Sequence, residues 1–141
     1  MGGVRAAVTS LIVVDTNIAV RFVVDDDHEQ ADRVERLLLQ DSVRLLRTVL
    51  LETEWVLRSR YRLSRGQVLA GLRGLTTLPN VEVENADRVA RALDWFEAGL
   101  DFADAMHLAA ADGEEETFVT FDRGLIRRAA RLDLPVPVRE P

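Results

Sequence analysis

The sequence predicts a single α/β domain with a central, mainly parallel sheet of five strands flanked by about seven helices. Short apolar runs alternate with longer segments of helical periodicity, as is typical of parallel sheets. The run at 11–14 has no polar alternation, which favours a strand buried on both faces. The length of 141 residues is close to the commonest domain size. We expect a flexible N-terminal segment at 1–10 and one domain at 11–141.

Two helices are predicted to follow the first strand. The first extends from about 17 to 24, where apolar residues recur at helical spacing. The second opens at His28, after three consecutive aspartates, and its pattern places Glu29, Asp32, Arg33 and Arg36 on the solvent side.

A second strand, two helices and a third strand are predicted next. The strand at 43–46 leads into a helix for which Thr48 is the expected cap. Ser64 is the expected cap of the following helix, and both residue types are good acceptors for unpaired backbone N–H groups. The brief apolar run at 81–83 predicts the third strand.

The second half of the chain predicts three helices and two strands. The helices are expected to begin near Asn85, at Asp101 and at Arg123, and the strands to occupy 118–121 and 136–138. Gly99 suits the end of the first of these helices, since glycine readily adopts a left-handed conformation. The prolines around the last strand predict a sheet edge.

Composition argues against several classes of function. The chain has no cysteine, which excludes disulfides and thiolate metal sites and is consistent with a reducing cytoplasm. Two histidines leave oxygen atoms as the main metal ligands on offer. No apolar run approaches the roughly 20 residues of a membrane-spanning helix. All 18 basic residues are arginines, and the net charge of −6 argues against binding nucleic acid through a general basic field.

Acidic residues stand where chemistry is expected in an α/β protein. Asp15 ends the first strand, and Asp122 ends the strand at 118–121. If both strands are central and parallel, the two carboxylates emerge at one edge of the sheet, where such proteins bind ligands. Asp101 and Asp104 are three residues apart at a helix start and therefore share a face.

Each carboxylate alone has a structural explanation, because Asp15 and Asp122 can cap the helices that follow them. A cluster is different, since carboxylates raise one another's pKa unless a cation neutralises them. Mg²⁺ or Mn²⁺ is the simplest such cation. Glu52 follows an apolar stretch of the third predicted helix and joins this group. Glu54 is the alternative, because the two glutamates point in nearly opposite directions.

Four segments carry a specific resemblance. In chain order, LIVVDTN, VLLETEWVL, GLDFADAMHLA and FVTFD resemble the motifs of PIN-domain ribonucleases, above all the VapC toxins of bacterial toxin–antitoxin pairs. The resemblance covers nearly the whole chain, from Leu11 to about Val138. It implies that the catalytic acidic residues are Asp15, Glu52, Asp104 and Asp122. Asp101 is implied to be an accessory acidic residue. The implied supporting polar residues are Thr16, Asn17 and Thr120.

The resemblance also implies a function. It indicates a metal-dependent endoribonuclease, the toxin of a type II toxin–antitoxin system, acting in the cytoplasm. One or two Mg²⁺ or Mn²⁺ ions would be held by Asp15, Asp104 and Asp122, with Glu52 bound directly or through water. His107 lies one turn after Asp104 and could face the same pocket, although a packed or surface position is the simpler interpretation.

Partners are implied in the same way. The resemblance predicts an antitoxin protein lying across the active-site groove, and a homodimer. Four apolar residues could serve an interface, although core packing is the simpler role of each: Trp55, Val68, Leu72 and Trp95.

RNA contacts are predicted on the first helix and near the end of the third. Phosphates can be bound by Arg21, Arg58, Arg60 and Arg62, and Tyr61 can stack on a base. An exposed helix end with arginines that complement the helix dipole explains the residues near the third helix equally well.

Other classes of protein share parts of this pattern. Receiver-type phosphotransfer domains and haloacid-dehalogenase-type phosphatases place aspartate at strand ends, but they need a lysine, which this chain lacks. Nucleases of the RNase H type begin with several antiparallel strands, whereas a helix is predicted here directly after the first strand. The remaining alternative is a catalytically inactive PIN-like module that binds RNA or protein.

Overall fold

The computed structural model describes residues 11–111 and 115–141, so the predicted flexible segment at 1–10 lies outside the described residues. The strands are β1 (Ile12–Val13), β2 (Val43–Leu45), β3 (Val81–Val83), β4 (Phe118–Val119) and β5 (Val138–Arg139). The helices are α1 (Thr16–Val23), α2 (His28–Gln40), α3 (Arg47–Ser59), α4 (Arg65–Thr76), α5 (Ala86–Glu97), α6 (Phe102–Ala110) and α7 (Arg123–Leu132). These elements form two compact units, the first ending at Glu84 and the second beginning at Asn85.

All strand pairs in the described residues are parallel, which confirms the predicted α/β class. In the first unit the strand order is β1-β2-β3, with Val43 of β2 opposite Ile12 and Val81. In the second unit β4 pairs with β5, with Phe118 opposite Val138. The five predicted strands are therefore present, divided into a three-stranded and a two-stranded sheet.

The strand β4 is shorter than the segment 118–121 predicted for it. It ends at Val119, because the chain turns directly afterwards. The Oγ1 atom of Thr120 accepts a hydrogen bond from the backbone N–H of Asp122 at 3.0 Å. This local bond closes a turn of the kind that threonine favours. The strand consequently stops before Asp122.

The core of the first unit lies where α1, α3 and α4 pack together, and it includes the buried residues of β2. Its fully buried side chains include Leu38, Leu45, Leu50, Leu57, Leu72 and Leu75. Val68 is also buried, so Val68 and Leu72 serve the core and are not available for an interface. The side chain of Trp55, in contrast, is half exposed.

Helix termini in the first unit follow local sequence in one case and tertiary structure in another. Ser64 caps α4 as predicted, in a capping box with Gln67. The prediction of Thr48 as the cap of α3 was wrong, because that helix already begins at Arg47. The backbone N–H of Arg47 instead donates to Glu84 Oε1 at 2.9 Å.

The second unit is built around the packing of α5 on α6. Phe96 and Phe102 meet edge to face, with ring centroids 5.5 Å apart. Gly99 follows α5 with a φ of +118°, the left-handed conformation that its predicted role requires. Across the described residues of both units, every helix is too short or too polar to cross a bilayer.

Candidate active site

Asp15 lies where the first strand passes into α1. The side chain of Val14 is buried, whereas Asp15 is exposed. The Oδ1 atom of Asp15 accepts a hydrogen bond from the backbone N–H of Ile18 at 3.1 Å. Asp15 therefore caps α1, and its carboxylate is held at the positive end of the helix.

Thr16 connects the start of α1 to α3. Its Oγ1 atom donates a hydrogen bond to Glu52 Oε1, and the two oxygens are 2.5 Å apart. Glu52 is exposed, and α1 packs directly against α3. Asp15, Thr16 and Glu52 thus form one polar group in the first unit, and Asn17 is exposed next to it.

Glu54 has entirely different surroundings. Its side chain is only 5% exposed, and its Oε2 atom accepts a hydrogen bond from Arg58 Nε at 2.8 Å. The pair lies one helical turn apart on α3. Glu54 is therefore a buried structural carboxylate, and Glu52 is the glutamate that is hydrogen-bonded to Thr16, the neighbour of Asp15 in sequence.

Two of the three predicted site aspartates of the second unit cap helices. Asp101 caps α6, with its Oδ2 atom 3.4 Å from the backbone nitrogen of Asp104. Asp122 caps α7, with its Oδ1 atom 2.9 Å from the backbone nitrogen of Leu125. Thr120, a predicted supporting residue, holds the backbone of Asp122. The predicted caps of both helices are confirmed.

The pKa of the Asp104 carboxyl is shifted by burial and by the two other aspartates. Partial burial raises the pKa of the Asp104 carboxyl, and the negative charges of Asp101 and Asp122 raise it further. His107 and Arg128 act in the opposite direction. Mutual repulsion of this kind is what a bound cation relieves.

Arg128 is a part of this site that the sequence analysis missed. Its Nε atom is buried and has no hydrogen-bond partner among the described residues. A Cβ atom at Gly124 would lie 3.2 Å from both Arg128 Nη1 and Asp122 Oδ1, so glycine leaves room for these groups. Arg128 shares a helix face with the buried residues Leu125 and Ala129. A basic residue on that apolar face was the signal in the sequence.

His107 has a packing role. It is exposed, and its ring stacks on that of Phe118 with centroids 6.3 Å apart and an angle of 16° between the planes. This agrees with the simpler interpretation of this residue.

The predicted RNA-contact residues divide into two groups. Arg21 is held by Asp26 and by Gln30 Oε1, the latter at 2.9 Å, and Tyr61 donates a hydrogen bond to Asp26 Oδ2 at 3.0 Å. Burial opposes the charge of Asp26, but the hydrogen bonds from Tyr61 and Arg21 hold its pKa below its ordinary value. Arg58 is paired with Glu54. The remaining residues, Arg60 and Arg62, are exposed at and just beyond the end of α3.

The donor chemistry of the two acidic groups suits a hard divalent cation. Carboxylate and hydroxyl oxygens are the ligands that Mg²⁺ and Mn²⁺ prefer. The pKa of Asp104 is raised first by burial and then by the negative charges of Asp101 and Asp122. Within the part of the chain that the structure describes, however, no group of three acidic or histidine side chains is close enough to bind one metal ion.

Comparison with known families gives a match over most of the chain. Residues 12–132 match the family described as PIN domain. The matched range contains all four acidic residues of the predicted catalytic set. No curated protein matches the chain.

Proposed function

Since the chain belongs to the PIN-domain family, we propose that it is a metal-dependent endoribonuclease that hydrolyses RNA phosphodiester bonds. PIN domains are generally metal-dependent nucleases and often serve as toxins of toxin–antitoxin systems. The observation that carries the proposal is the pair of acidic groups within the family match. One contains Asp15 and Glu52, and the other contains Asp101, Asp104 and Asp122.

In this proposal the carboxylates hold one or two Mg²⁺ or Mn²⁺ ions. Asp15, Asp104 and Asp122 bind directly, Glu52 binds directly or through water, and Asp101 is accessory. Such an ion, when bound, lowers the pKa of a water molecule and stabilises the charge that develops on the phosphate under attack.

The remaining polar residues position these carboxylates. The hydrogen bond from Thr16 orients Glu52, and that from the backbone of Asp122 to Thr120 fixes the turn that presents Asp122. Arg128 adds a positive charge close to Asp122, which limits repulsion among the aspartates. In the proposed site, Thr16, Thr120 and Arg128 therefore position or stabilise the carboxylates.

The proposed RNA contacts are those predicted arginines whose side chains are not already paired with an acidic residue in the structure. Arg60 and Arg62 are the proposed phosphate contacts near α3, because they are exposed. Arg58 and Arg21 are tied to acidic partners, so we give them structural roles. Tyr61 donates to Asp26, but the face of its ring could still stack on a base.

The biological setting is also part of the proposal. We infer that the chain is a cytoplasmic toxin with a separately encoded antitoxin, and that it forms a homodimer. The half-exposed Trp55 is the only one of the two tryptophans whose surface exposure suits an interface. Sedimentation as a dimer at micromolar concentration is expected, and a monomer would contradict this part of the proposal.

The decisive experiment is cleavage of total cellular RNA by the purified chain. We expect discrete fragments with Mg²⁺ or Mn²⁺ and none with EDTA. Asp15→Asn and Asp104→Asn should abolish cleavage, because each removes a carboxylate charge from the proposed site. Asparagine is as good a helix cap as aspartate, so Asp15→Asn should keep its fold.

Controls separate catalysis from binding. Circular dichroism should show that both variants are folded, and Asp15→Asn should still bind RNA. If the wild type and the variants give the same fragments, the cleavage comes from a contaminant and the proposal is wrong. If RNA is bound but never cleaved with metal present, the inactive binding module becomes the better description.

A further inference from the structure

A pocket of about 580 Å³ opens between α1 and α2 in the first unit. Its volume falls within the range of roughly 300–1,000 Å³ that small-molecule sites occupy. Its walls combine three arginines with an apolar surface, and the residues that matter below are Ile18, Arg21, Arg33, Val34, Arg36 and Leu37. None of the acidic residues of the proposed catalytic set lines it.

Two of these arginines carry charge that the protein does not use. Arg33 and Arg36 are exposed, and their side chains make no hydrogen bond or ion pair with any described residue. In a chain with a net charge of −6, two unpaired guanidinium groups on one pocket wall indicate an anionic ligand. Asp41 at the end of the pocket is a carboxylate, so the anion is expected on the side of the arginines.

Arg21 has a different part in the pocket. Its Nε atom donates to Gln30 Oε1 at 2.9 Å, and its guanidinium is paired with Asp26. These bonds tie α1 to the start of α2 and fix one wall. Arg21 is therefore a rigid boundary, and the binding charge comes from Arg33 and Arg36.

The apolar surface of the pocket indicates a second property of the ligand. Val34 is buried, and Ile18 and Leu37 are half-buried, so they form a floor beneath the charged rim. A flat aromatic base can lie on such a floor while its phosphate meets the arginines. The pairing of apolar floor and cationic rim matches a nucleotide better than it matches a bare anion.

The pocket begins at the same helix terminus as Asp15. The backbone N–H of Ile18 donates to the Asp15 carboxylate at 3.1 Å, while the side chain of Ile18 lines the pocket. Asn17, two residues after Asp15, also lines it. A strand of RNA whose scissile phosphate lies at Asp15 can therefore place a neighbouring nucleotide in the pocket.

We propose that this pocket is a nucleotide subsite for the single-stranded RNA substrate. Arg33 and Arg36 bind a phosphate that flanks the cleaved bond, and the floor made by Ile18, Val34 and Leu37 receives a base. The inference rests on the proposed ribonuclease function, because it assigns the ligand from the substrate of that activity.

The test measures RNA affinity apart from cleavage. A fluorescein-labelled single-stranded RNA is titrated with the Asp15→Asn protein at several NaCl concentrations, and fluorescence anisotropy reports binding. The double substitution Arg33→Gln with Arg36→Gln is expected to weaken binding roughly tenfold. It should also reduce the slope of log K against log[NaCl] by about 0.7, the value for one phosphate contact on a single strand.

A matched control removes the same charge elsewhere. Arg127 and Arg131 of α7 are also exposed, and their side chains make no hydrogen bond or ion pair with a described residue. The double substitution Arg127→Gln with Arg131→Gln should therefore change RNA affinity less than twofold. Leu37→Ser removes part of the floor at constant charge. It should weaken binding without altering the salt dependence.

The outcomes distinguish this subsite from the ribonuclease activity itself. If the wild type cleaves RNA but the two double variants bind RNA alike, the subsite is wrong and the activity stands. If only the Arg33 and Arg36 variant loses affinity while the wild type cleaves nothing, the pocket binds RNA but the proposed ribonuclease activity is wrong. Absence of RNA binding by every protein overturns the subsite.

Discussion

Asp15, Asp101 and Asp122 each occupy the cap position of a helix. Each accepts a hydrogen bond from a backbone N–H of the helix that it precedes. Capping engages one oxygen of each carboxylate and orients the group at the positive end of a helix dipole. The structural role and the proposed metal-binding role are therefore compatible, because a carboxylate has two oxygens and several lone pairs.

Glu52 and Glu54 provide a sharp comparison at the scale of single residues. Glu52→Gln should lower RNA cleavage by about 10- to 100-fold, the usual effect of losing a group that supports a metal site, with stability unchanged. Glu54→Gln should lower the free energy of unfolding by about 1 to 2 kcal/mol, because it removes the negative charge from the buried acceptor of the Arg58 hydrogen bond. Cleavage rates and urea unfolding of both variants provide the measurement.

The two glutamates serve as controls for each other, since the same chemical change is made two positions apart. Cleavage by Glu54→Gln should be normal under conditions where it is folded. The opposite result, an inactive Glu54→Gln and a fully active Glu52→Gln, would assign the site to Glu54.

At the scale of elements, the N-terminus of α3 depends on a distant residue. Leu46 at its cap position makes no side-chain hydrogen bond, and Glu84 accepts the N–H of Arg47 instead. Arg47 Nε is 3.4 Å from the same oxygen, and Arg44 Nη2 is 3.8 Å from the other. Thus α3, which carries Glu52, is anchored to the residue that follows β3.

This arrangement predicts a pH-dependent contribution to stability. The hydrogen bond from the backbone of Arg47 lowers the pKa of Glu84 below its ordinary value of 4.5, against the effect of burial. A lowered folded-state pKa means that the stabilisation is complete above 4.5 and is lost as the pH falls through the folded-state value. Glu84→Ala should therefore cost about 1 kcal/mol at neutral pH and less in acid.

Urea unfolding of wild type and Glu84→Ala at pH about 7 and about 4 provides the check. Glu82→Ala is the matched control, because Glu82 is exposed on β3 and its side chain makes no hydrogen bond or ion pair with a described residue. Two results would show that the carboxylate of Glu84 does not cap α3. One is an equal loss of unfolding free energy in Glu82→Ala. The other is a loss of unfolding free energy in Glu84→Ala that is the same at both pH values.

At the scale of the whole molecule, the two compact units lie within one family match. The units meet in sequence between Glu84 and Asn85, whereas the match spans 12–132. The acidic set is divided between them, with Asp15 and Glu52 in the first unit. Our prediction of one domain at 11–141 therefore requires that both units unfold together.

The two tryptophans test this prediction, because Trp55 lies in the first unit and Trp95 in the second. Trp95→Phe leaves a reporter in the first unit, and Trp55→Phe leaves one in the second. Urea unfolding followed by tryptophan fluorescence should give coincident transitions in the two variants, as a single cooperative domain does. Circular dichroism of each variant checks for a general loss of stability. Two separate midpoints under the same conditions would show independent domains.

Local sequence predicted much of the fold, because most elements depend on nearby residues. The helix beginning at Arg123 and the strand at 81–83 follow from hydrophobic spacing and cap chemistry, and both were confirmed. The first residue of α3 could not be predicted from local sequence, because its backbone N–H at Arg47 is capped by Glu84, 37 residues further along the chain. The end of β4 was also misplaced, because a threonine turn competes with the ladder there.

The sequence by itself determined the α/β class, the parallel strands, the family and the acidic residues that define the proposed site. Apolar periodicity and motif order carry that information without any knowledge of packing. Only the tertiary structure decided which glutamate is hydrogen-bonded to Thr16, which arginine lies with Asp122 around Gly124 and which arginines line a pocket. These depend on the neighbour against which each helix packs, and residues distant in sequence supply those neighbours.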